Sequence, residues 1–249
     1  LVSPFKLLQT VPMNIPFPFR LVFAFMIVLM VAAPANAADA GQPQHFELRI
    51  YSTRSEAQQQ RISEYWQQAG VPAYDRLGIK PIGVFTEVQD SPTNRIYVVI
   101  PFDSLEAFST VSARLASDAD YQKLAGEFLN APKSNAAYES LQSSLLVAFD
   151  AMKRLVPPSS GKRPEVFELR TYISSSEARG LNKIKMFEQG EIEVMKEVGL
   201  APVFYGRTLS GPVMPSLVYM TCGEDSEAHR RHWSAFNAAP VWRQLQADP

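Results

Sequence analysis

The chain contains an internal repeat with a constant spacing. Residues 46–51 read Phe-Glu-Leu-Arg-Ile-Tyr, and residues 167–172 read Phe-Glu-Leu-Arg-Thr-Tyr, 121 residues later. The same offset holds without a gap over about eighty residues and pairs Gly78 with Gly199, Pro81 with Pro202, and Tyr121 with Trp242. A repeat of this length predicts one structural unit built twice. Positions where the two copies differ are therefore the best candidates for function.

Each copy has the pattern of a βαββαβ unit. The opening strand alternates at period two, with Phe46, Leu48 and Ile50 on one face and Glu47, Arg49 and Tyr51 on the other. A helix follows, ending near Gly78 or Gly199, where a left-handed residue is needed. We therefore predict an α+β fold of tandem ferredoxin-like βαββαβ units. Helices cover one face of each sheet, so the two free faces are expected to pack face to face.

The repeat spacing predicts that the second unit is shorter than the first at its end. In the first copy, residues 138–149 read as a closing strand rich in apolar residues. Its counterpart would fall at about 259–270, after the last residue, Pro249. We therefore expect the second unit to lack its last strand, which would leave an unpaired sheet edge prone to association.

The start of the chain has the pattern of an export signal. Arg20 precedes an apolar run at 21–33, and Ala35-Asn36-Ala37 supplies a small-residue cleavage site. Thirteen apolar residues rise about 20 Å as a helix, less than a bilayer core of about 30 Å, although an uncleaved anchor stays open as an alternative. We expect residues 1–12 not to be translated and a periplasmic or secreted protein without a membrane segment after cleavage. The expected ranges are a signal peptide at 13–37, a first copy at 45–150, a linker at 151–164 and a second copy at 165–249.

Composition excludes few functions. The formal net charge is −1, from 24 basic and 25 acidic residues, so no basic surface for nucleic acid is indicated. Cys222 is the single cysteine, which excludes an internal disulfide and favours a small buried apolar residue over a reactive thiol.

Several motifs resemble the NIPSNAP family. They are the two Phe-Glu-Leu-Arg-x-Tyr openings, the segments 78–85 and 214–220, and the run from His232-Trp233 to Leu245. The resemblance covers residues 45–249 and is closest to exported bacterial members with two domains. It implies the dimeric α/β-barrel superfamily fold. It carries no catalytic residues over to this chain, so catalytic residues are unknown.

The polar face of the opening strand is the first candidate site. Facing sheets would enclose a cavity in which arginine binds an anionic ligand and tyrosine lines the wall. Alternatively, glutamate and arginine two residues apart form buried pairs that fix strand register. At three positions the second copy is polar where the first has Val84, Thr86 and Val98, so any cavity should be more polar on that side. The candidate lining residues are Glu47, Arg49, Tyr51, Glu168, Arg170, Tyr172, Tyr205, Arg207 and Tyr219.

His229 and His232 form the second candidate site. Their spacing on a helix could ligate a metal. However, they align with Phe108 and Val111, which lie on the apolar stripe of the first copy. We therefore expect packing residues and neither a metal nor another cofactor. A haem between helix and sheet is an alternative that rests on fold analogy alone.

The sequence leaves two functions open. The first is a small-ligand-binding or assembly protein that uses the cavity between the sheets or an exposed sheet edge, and it is compatible with a homo-oligomer. The second is a cofactor-poor monooxygenase or isomerase acting on a small hydrophobic or aromatic substrate. An acid or base with a displaced pKa in an open cavity would favour the enzyme.

Overall fold

The computed structural model describes residues 6–10, 41–88, 94–158 and 166–247, so the expected signal peptide at 13–37 lies outside the described residues. These ranges form a closed β-barrel with helices on its outer surface. The strands are β1 (Lys6–Thr10), β2 (His45–Ser52), β3 (Gly83–Glu87), β4 (Arg95–Phe102), β5 (Ser140–Ala148), β6 (Val166–Ile173), β7 (Ala201–Ser210) and β8 (Ser216–Gly223). The helices are α1 (Glu56–Tyr65), α2 (Val71–Arg76), α3 (Leu105–Ala116), α4 (Ala119–Leu129), α5 (Glu177–Met186), α6 (Ile192–Glu197), α7 (Ser226–Ala238) and α8 (Pro240–Ala247).

The strand order shows the repeat directly. Around the barrel it is β1-β3-β4-β2-β5-β7-β8-β6, and neighbouring strands are antiparallel. The first copy contributes β3-β4-β2-β5, and the second contributes β7-β8-β6 in the same relative order. The prediction of a mixed α/β fold with an antiparallel sheet is confirmed.

Strand β1 corrects the expected open edge. Leu8 lies opposite Phe167 of β6 on one side and Glu87 of β3 on the other. In the first copy, Leu146 lies opposite Phe46 and Thr208, the same two positions shifted by the repeat spacing. The gap between β3 and β6 is therefore equivalent to the position that β5 occupies between β7 and β2. Strand β1 fills this gap and supplies hydrogen-bonding partners to both flanking strands. Residues 6–10 thus occupy the place of the expected missing strand, and cleavage after Ala37 would leave that place open.

The interior of the barrel is packed, which corrects the expected cavity between the sheets. The alternation in β2 and β6 is as predicted, but the faces are exchanged. An eight-stranded barrel is just wide enough for its own side chains, and an isolated charge there would lose its water. The apolar face therefore points inward, and burial raises the pKa of the Cys222 thiol to about 11. The interior contains Leu8, Phe46, Leu48, Phe85, Tyr97, Val99, Leu146, Ala148, Phe167, Leu169, Val203, Phe204, Val218, Met220 and Cys222.

Two further apolar clusters lie between the barrel and the helices, one for each copy. Trp66 and Tyr74 lie in the first cluster, and Phe187 lies in the second. Gly78 and Gly199 end α2 and α6 with positive φ angles of 78° and 89°, as their alignment predicted. Among the helices of the described ranges, none combines the length and hydrophobicity needed to span a bilayer.

Candidate functional site

The opening-strand residues lie at two separate sites outside the barrel. Glu47, Arg49 and Tyr51 of β2 lie beneath the helices of the first copy, and their equivalents on β6 lie beneath those of the second. The structure does not bring the two sets together, because the packed barrel interior separates them. Each copy therefore has its own polar centre in its helix–sheet layer.

The polar centre of the first copy is satisfied by its own residues. Arg49 donates from Nε and Nη2 to the two carboxylate oxygens of Glu47, at 2.8 and 2.9 Å. Ser143 of β5 donates to the same carboxylate at 2.8 Å, and Arg49 also donates to the Tyr74 hydroxyl at 3.2 Å. These contacts join β2 to β5 and to α2, which is the structural role left open by the sequence.

The second copy surrounds its glutamate with different partners. Arg170 Nε donates to Glu168 Oε1 at 2.9 Å, while the second oxygen contacts His229 Nε2 at 2.7 Å and accepts a hydrogen bond from Trp233 Nε1. The Arg170 guanidinium also stacks on the Trp233 ring at 3.7 Å. Glu168 is only 1% exposed, so this carboxylate depends on its partners.

Electrostatics keep Glu168 ionised. Burial alone would raise its pKa, but the hydrogen bond from His229 and the charge of Arg170 outweigh burial and hold the pKa below its usual value. Because an ionised carboxylate only accepts, His229 Nε2 carries the proton. Its Nδ1 packs against the backbone, since a Cβ at Gly223 would lie 3.0 Å away. His229 thus packs between α7 and the sheet, where the alignment with Phe108 places it, while its Nε2 binds the carboxylate.

The second copy contains a further buried ion pair. Lys183 Nζ lies 2.8 Å from Glu191 Oε2, and the Glu191 side chain is 1% exposed. The ammonium also lies 4.8–5.0 Å from the rings of Phe187, Tyr172 and Trp242. Burial raises the Glu191 pKa, although Lys183 opposes this shift. The first copy has Ile62 and Gly70 at the two positions.

Tyr205 and Tyr219 extend this layer as a stacked pair. Their ring centroids are 5.4 Å apart, and both side chains are fully buried. The Tyr205 hydroxyl donates to Met195 Sδ at 3.2 Å, whereas the Tyr219 hydroxyl has no hydrogen-bond partner among the residues that the structure describes. Burial raises the pKa of both phenols, so both are neutral at physiological pH. Tyr172 stacks on Tyr219 and joins the same group.

Arg207 lies apart from these tyrosines, on an open groove of about 400 Å³. The groove lies between α5, the end of β7 and the segment that leads into β8. Ile184 lines the groove and also packs on the apolar cluster that contains Tyr205 and Tyr219, so the groove adjoins the buried layer. Its lining residues are Glu177, Gly180, Leu181, Ile184, Arg207, Thr208, Met214, Pro215 and Ser216.

The described residues contain no cluster of three metal-ligating side chains. His229 is engaged by Glu168, and the two candidate histidines do not join a third ligand within those ranges.

Comparison with protein-family models identifies the family of this chain. The NIPSNAP family model matches residues 46–150 and 167–248, which together make up most of the chain. The chain belongs to the NIPSNAP family. Both copies of the repeat are thus NIPSNAP domains. Among curated proteins, no relative matches this chain.

Two of the solved structures that match this NIPSNAP protein share its fold at low identity. A protein from Fusobacterium nucleatum subsp. nucleatum, provisionally described as a monooxygenase, is 9% identical, with 82% of this chain and 84% of that chain covered and a TM-score of 0.53. A second protein described in the same way, from Lactobacillus acidophilus, is 10% identical over 82% and 86% of the two chains, also with a TM-score of 0.53. A NIPSNAP family protein from Agrobacterium tumefaciens is 17% identical over 49% of this chain and 90% of its own, with a TM-score of 0.34. At these identities the first two likenesses establish the fold alone.

Three residues of the polar centre in the second NIPSNAP domain were missed by the sequence analysis. They are Lys183, Glu191 and Trp233, which align with Ile62, Gly70 and Ser112. The repeat spacing contained this signal, because each position changes from apolar or small to charged or aromatic.

Proposed function

We propose that this NIPSNAP protein binds a small, partly apolar ligand in the groove of its second domain. The observation that carries the proposal is a difference between the copies at equal positions. Leu181, Ile184 and Arg207 line the groove, whereas the first domain has Gln60, Ser63 and Thr86 there. The first domain forms the same helix and strand with small or polar side chains at these positions. The fold therefore does not require Leu181, Ile184 and Arg207.

Size and exposure support a ligand site. The groove volume of about 400 Å³ lies within the range of roughly 300–1,000 Å³ usual for small-molecule sites. Leu181 and Met214 are 60% and 51% exposed, so each has apolar surface available to a ligand. Their contacts with a bound apolar group would remove that surface from water.

Substituting the exposed groove residues should weaken binding of an apolar probe. In Leu181→Gln/Met214→Thr, which carries the first-domain residues, we expect the affinity for anilinonaphthalene sulfonate to fall about tenfold, because ~1.4 kcal/mol of apolar contact is lost. Fluorescence titration of the full chain measures this. The matched control is Leu124→Gln/Leu105→Thr, which changes two exposed leucines outside the groove. Equal affinities in the groove variant and the control would contradict the proposal.

A second candidate function is catalysis by a cofactor-poor monooxygenase or isomerase. The observation that favours it is the Lys183–Glu191 pair, because a carboxyl with a raised pKa beside a cation is suited to accept a proton. Lys183 directly precedes Ile184, which lines the groove. The fold shared with two proteins provisionally described as monooxygenases is compatible with this candidate.

If the Lys183–Glu191 pair serves function rather than stability, replacing both residues together should not destabilise the fold. We expect Lys183→Met/Glu191→Met to be neutral or more stable by about 1–4 kcal/mol, since apolar residues of similar volume avoid the cost of burying two charges. Urea denaturation at pH 7 measures the change. The control is Lys196→Met/Glu193→Met, an exposed pair at 2.7 Å on α6 whose own contribution should be below about 1 kcal/mol. A clear loss of stability in the first variant alone would assign the pair to the fold and remove this candidate.

We further propose that the two domains are ferredoxin-like βαββαβ units and that the protein is exported. The order of elements in the first domain and the shared strand order of the two domains support the first statement, with β1 in the place of the closing strand of the second domain. The pattern of Arg20, the apolar run at 21–33 and Ala35-Asn36-Ala37 supports the second.

A further inference from the structure

The groove of the second domain contains two opposite charges without partners. Arg207 reaches it from β7, and Glu177 reaches it from the first turn of α5. Both side chains are exposed, and neither forms a hydrogen bond or an ion pair with another residue in the part of the chain that the structure describes. They do not form an ion pair with each other, so their charged groups are more than 4.0 Å apart. Both charges are therefore available to a ligand.

The surface that accompanies these charges is apolar. Glu177, Leu181 and Ile184 follow the spacing i, i+4 and i+7, which places them along one face of α5. This face runs about 10 Å along the helix, with the carboxylate at its start and the apolar side chains after it. Met214 and Pro215 contribute apolar surface from the segment before β8. The groove thus combines one anion, one cation and apolar walls within about 400 Å³.

We propose that the groove binds a small zwitterion with an apolar body, of the class of free α-amino acids. The carboxylate of the ligand pairs with the Arg207 guanidinium, whose two parallel N–H groups fit a carboxylate. Its ammonium group pairs with Glu177, and its side chain packs on Leu181 and Met214. This inference rests on the proposed function, because it specifies the ligand of the same groove.

Charge balance favours a zwitterion over a singly charged ligand. A bound anion would exclude water from Glu177 without forming an ion pair with it. A bound amine would likewise exclude water from Arg207 without forming an ion pair. Removing a charged group from water without a partner costs free energy, so each singly charged ligand would bind more weakly than a zwitterion. The contribution of each charge can therefore be measured separately.

The first domain lacks the cation of this groove at the equivalent position. Glu56 stands where the second domain has Glu177, but Thr86 stands where it has Arg207. Because the first domain therefore offers only one of the two charges, we expect one ligand per chain rather than two.

Calorimetric titration of the full chain with three related compounds tests the inference. L-Phenylalanine should bind with a stoichiometry of one, whereas 3-phenylpropionate and 2-phenylethylamine, which lack the ammonium and the carboxylate, should each bind at least tenfold more weakly. Arg207→Thr and Glu177→Gln should each weaken phenylalanine binding at least tenfold. Arg207→Thr should leave the affinity for 2-phenylethylamine unchanged or raise it.

Two control variants separate ligand contacts from general effects of charge. Glu56→Gln changes the same helical position in the first domain, because Glu56 lies in the first turn of α1 as Glu177 does in α5. Arg243→Thr changes an exposed arginine of α8 outside the groove. Both controls should bind phenylalanine like the unsubstituted chain, and thermal melts should show that all four variants are folded.

The outcomes distinguish this inference from the proposed function. Equal binding of phenylalanine and 3-phenylpropionate, with no effect of Glu177→Gln, would overturn the zwitterion and leave an apolar anion as the ligand of the groove. Failure of all three compounds to bind, while Leu181→Gln/Met214→Thr still weakens the fluorescent probe, would also overturn the ligand class and leave the groove as a binding site. If that groove variant has no effect on the probe, the proposed function itself fails.

Discussion

Replacing Glu168 with alanine should destabilise the protein by about 3–5 kcal/mol, because it removes one partner of a buried charge cluster. The Glu168 carboxylate is bound by Arg170, His229 and Trp233. Without it, the Arg170 guanidinium keeps its stacking contact with Trp233 but loses the carboxylate that lies 2.8 Å from it, and its side chain is only 16% exposed. Urea denaturation at pH 7, followed by tryptophan fluorescence, measures the change in the free energy of unfolding.

Two further variants determine the origin of this loss. Glu227→Ala in α7 removes a carboxylate that pairs with Arg231 on the surface and is 74% exposed, so it should cost less than about 1 kcal/mol. Glu168→Met/Arg170→Met removes both charges and should be less destabilised than Glu168→Ala, since no uncompensated charge stays buried. A double variant as unstable as the single one would show that packing and the lost hydrogen bonds, rather than the loss of the charge facing Arg170, dominate the effect.

The same carboxylate should contribute to unfolding by acid. The pKa of Glu168 in the folded protein lies below its usual value, so the folded state binds its proton later than the unfolded state as the pH falls. Its stabilising contribution is therefore complete above the ordinary glutamate pKa of about 4.3 and is lost as the pH falls through the lower, folded pKa. The stability difference between the unsubstituted chain and Glu168→Gln should accordingly shrink below pH 4.

The sequence predicted the elements of this fold better than their orientation. The alternation in Phe46-Glu47-Leu48-Arg49-Ile50-Tyr51 correctly separates two faces of β2. Period two alone does not say which face meets the helices, because both faces of the strand are buried in this architecture. The deciding factor is closure of the barrel, which excludes water from its interior and therefore selects the apolar face. Closure depends on pairing between the copies, which no local pattern records.

The candidate site was predicted in part, and the repeat explains which part. Comparison of equal positions singled out Arg207, which lines the groove, and it also singled out Tyr205 and Tyr219, which lie in the buried layer behind it. Glu47 and Arg49 are shared by both copies and serve as a paired contact in the first.

Lys183 and Glu191 lie in α5 and in the turn that follows it, and their proximity depends on a π-helical turn at Phe187–Glu191. Helical spacing does not anticipate that turn, so their ion pair could not be read from the sequence.

Strand β1 was missed because its sequence is short and its partners are distant. Lys6-Leu7-Leu8-Gln9-Thr10 has no pattern of its own beyond two adjacent leucines. Only its position in the barrel shows that Leu7 and Leu8 occupy the places that Leu145 and Leu146 occupy in β5. A segment of five residues can fill such a slot when the flanking strands provide the hydrogen-bonding pattern.

Truncating Leu8 to alanine should cost about 2–5 kcal/mol, the usual range for a buried leucine. Leu8 and Leu146 are both 0% exposed and lie at equivalent positions, so Leu146→Ala is the matched comparison and should show a similar loss. The measurement is urea denaturation of the full chain, produced without export because cleavage after Ala37 would remove β1. If Leu146→Ala is strongly destabilising and Leu8→Ala changes stability by less than about 0.5 kcal/mol, β1 is not held between β3 and β6 in solution. In that case β1 does not fill the slot beside β6, and the edge of β6 is expected to be open.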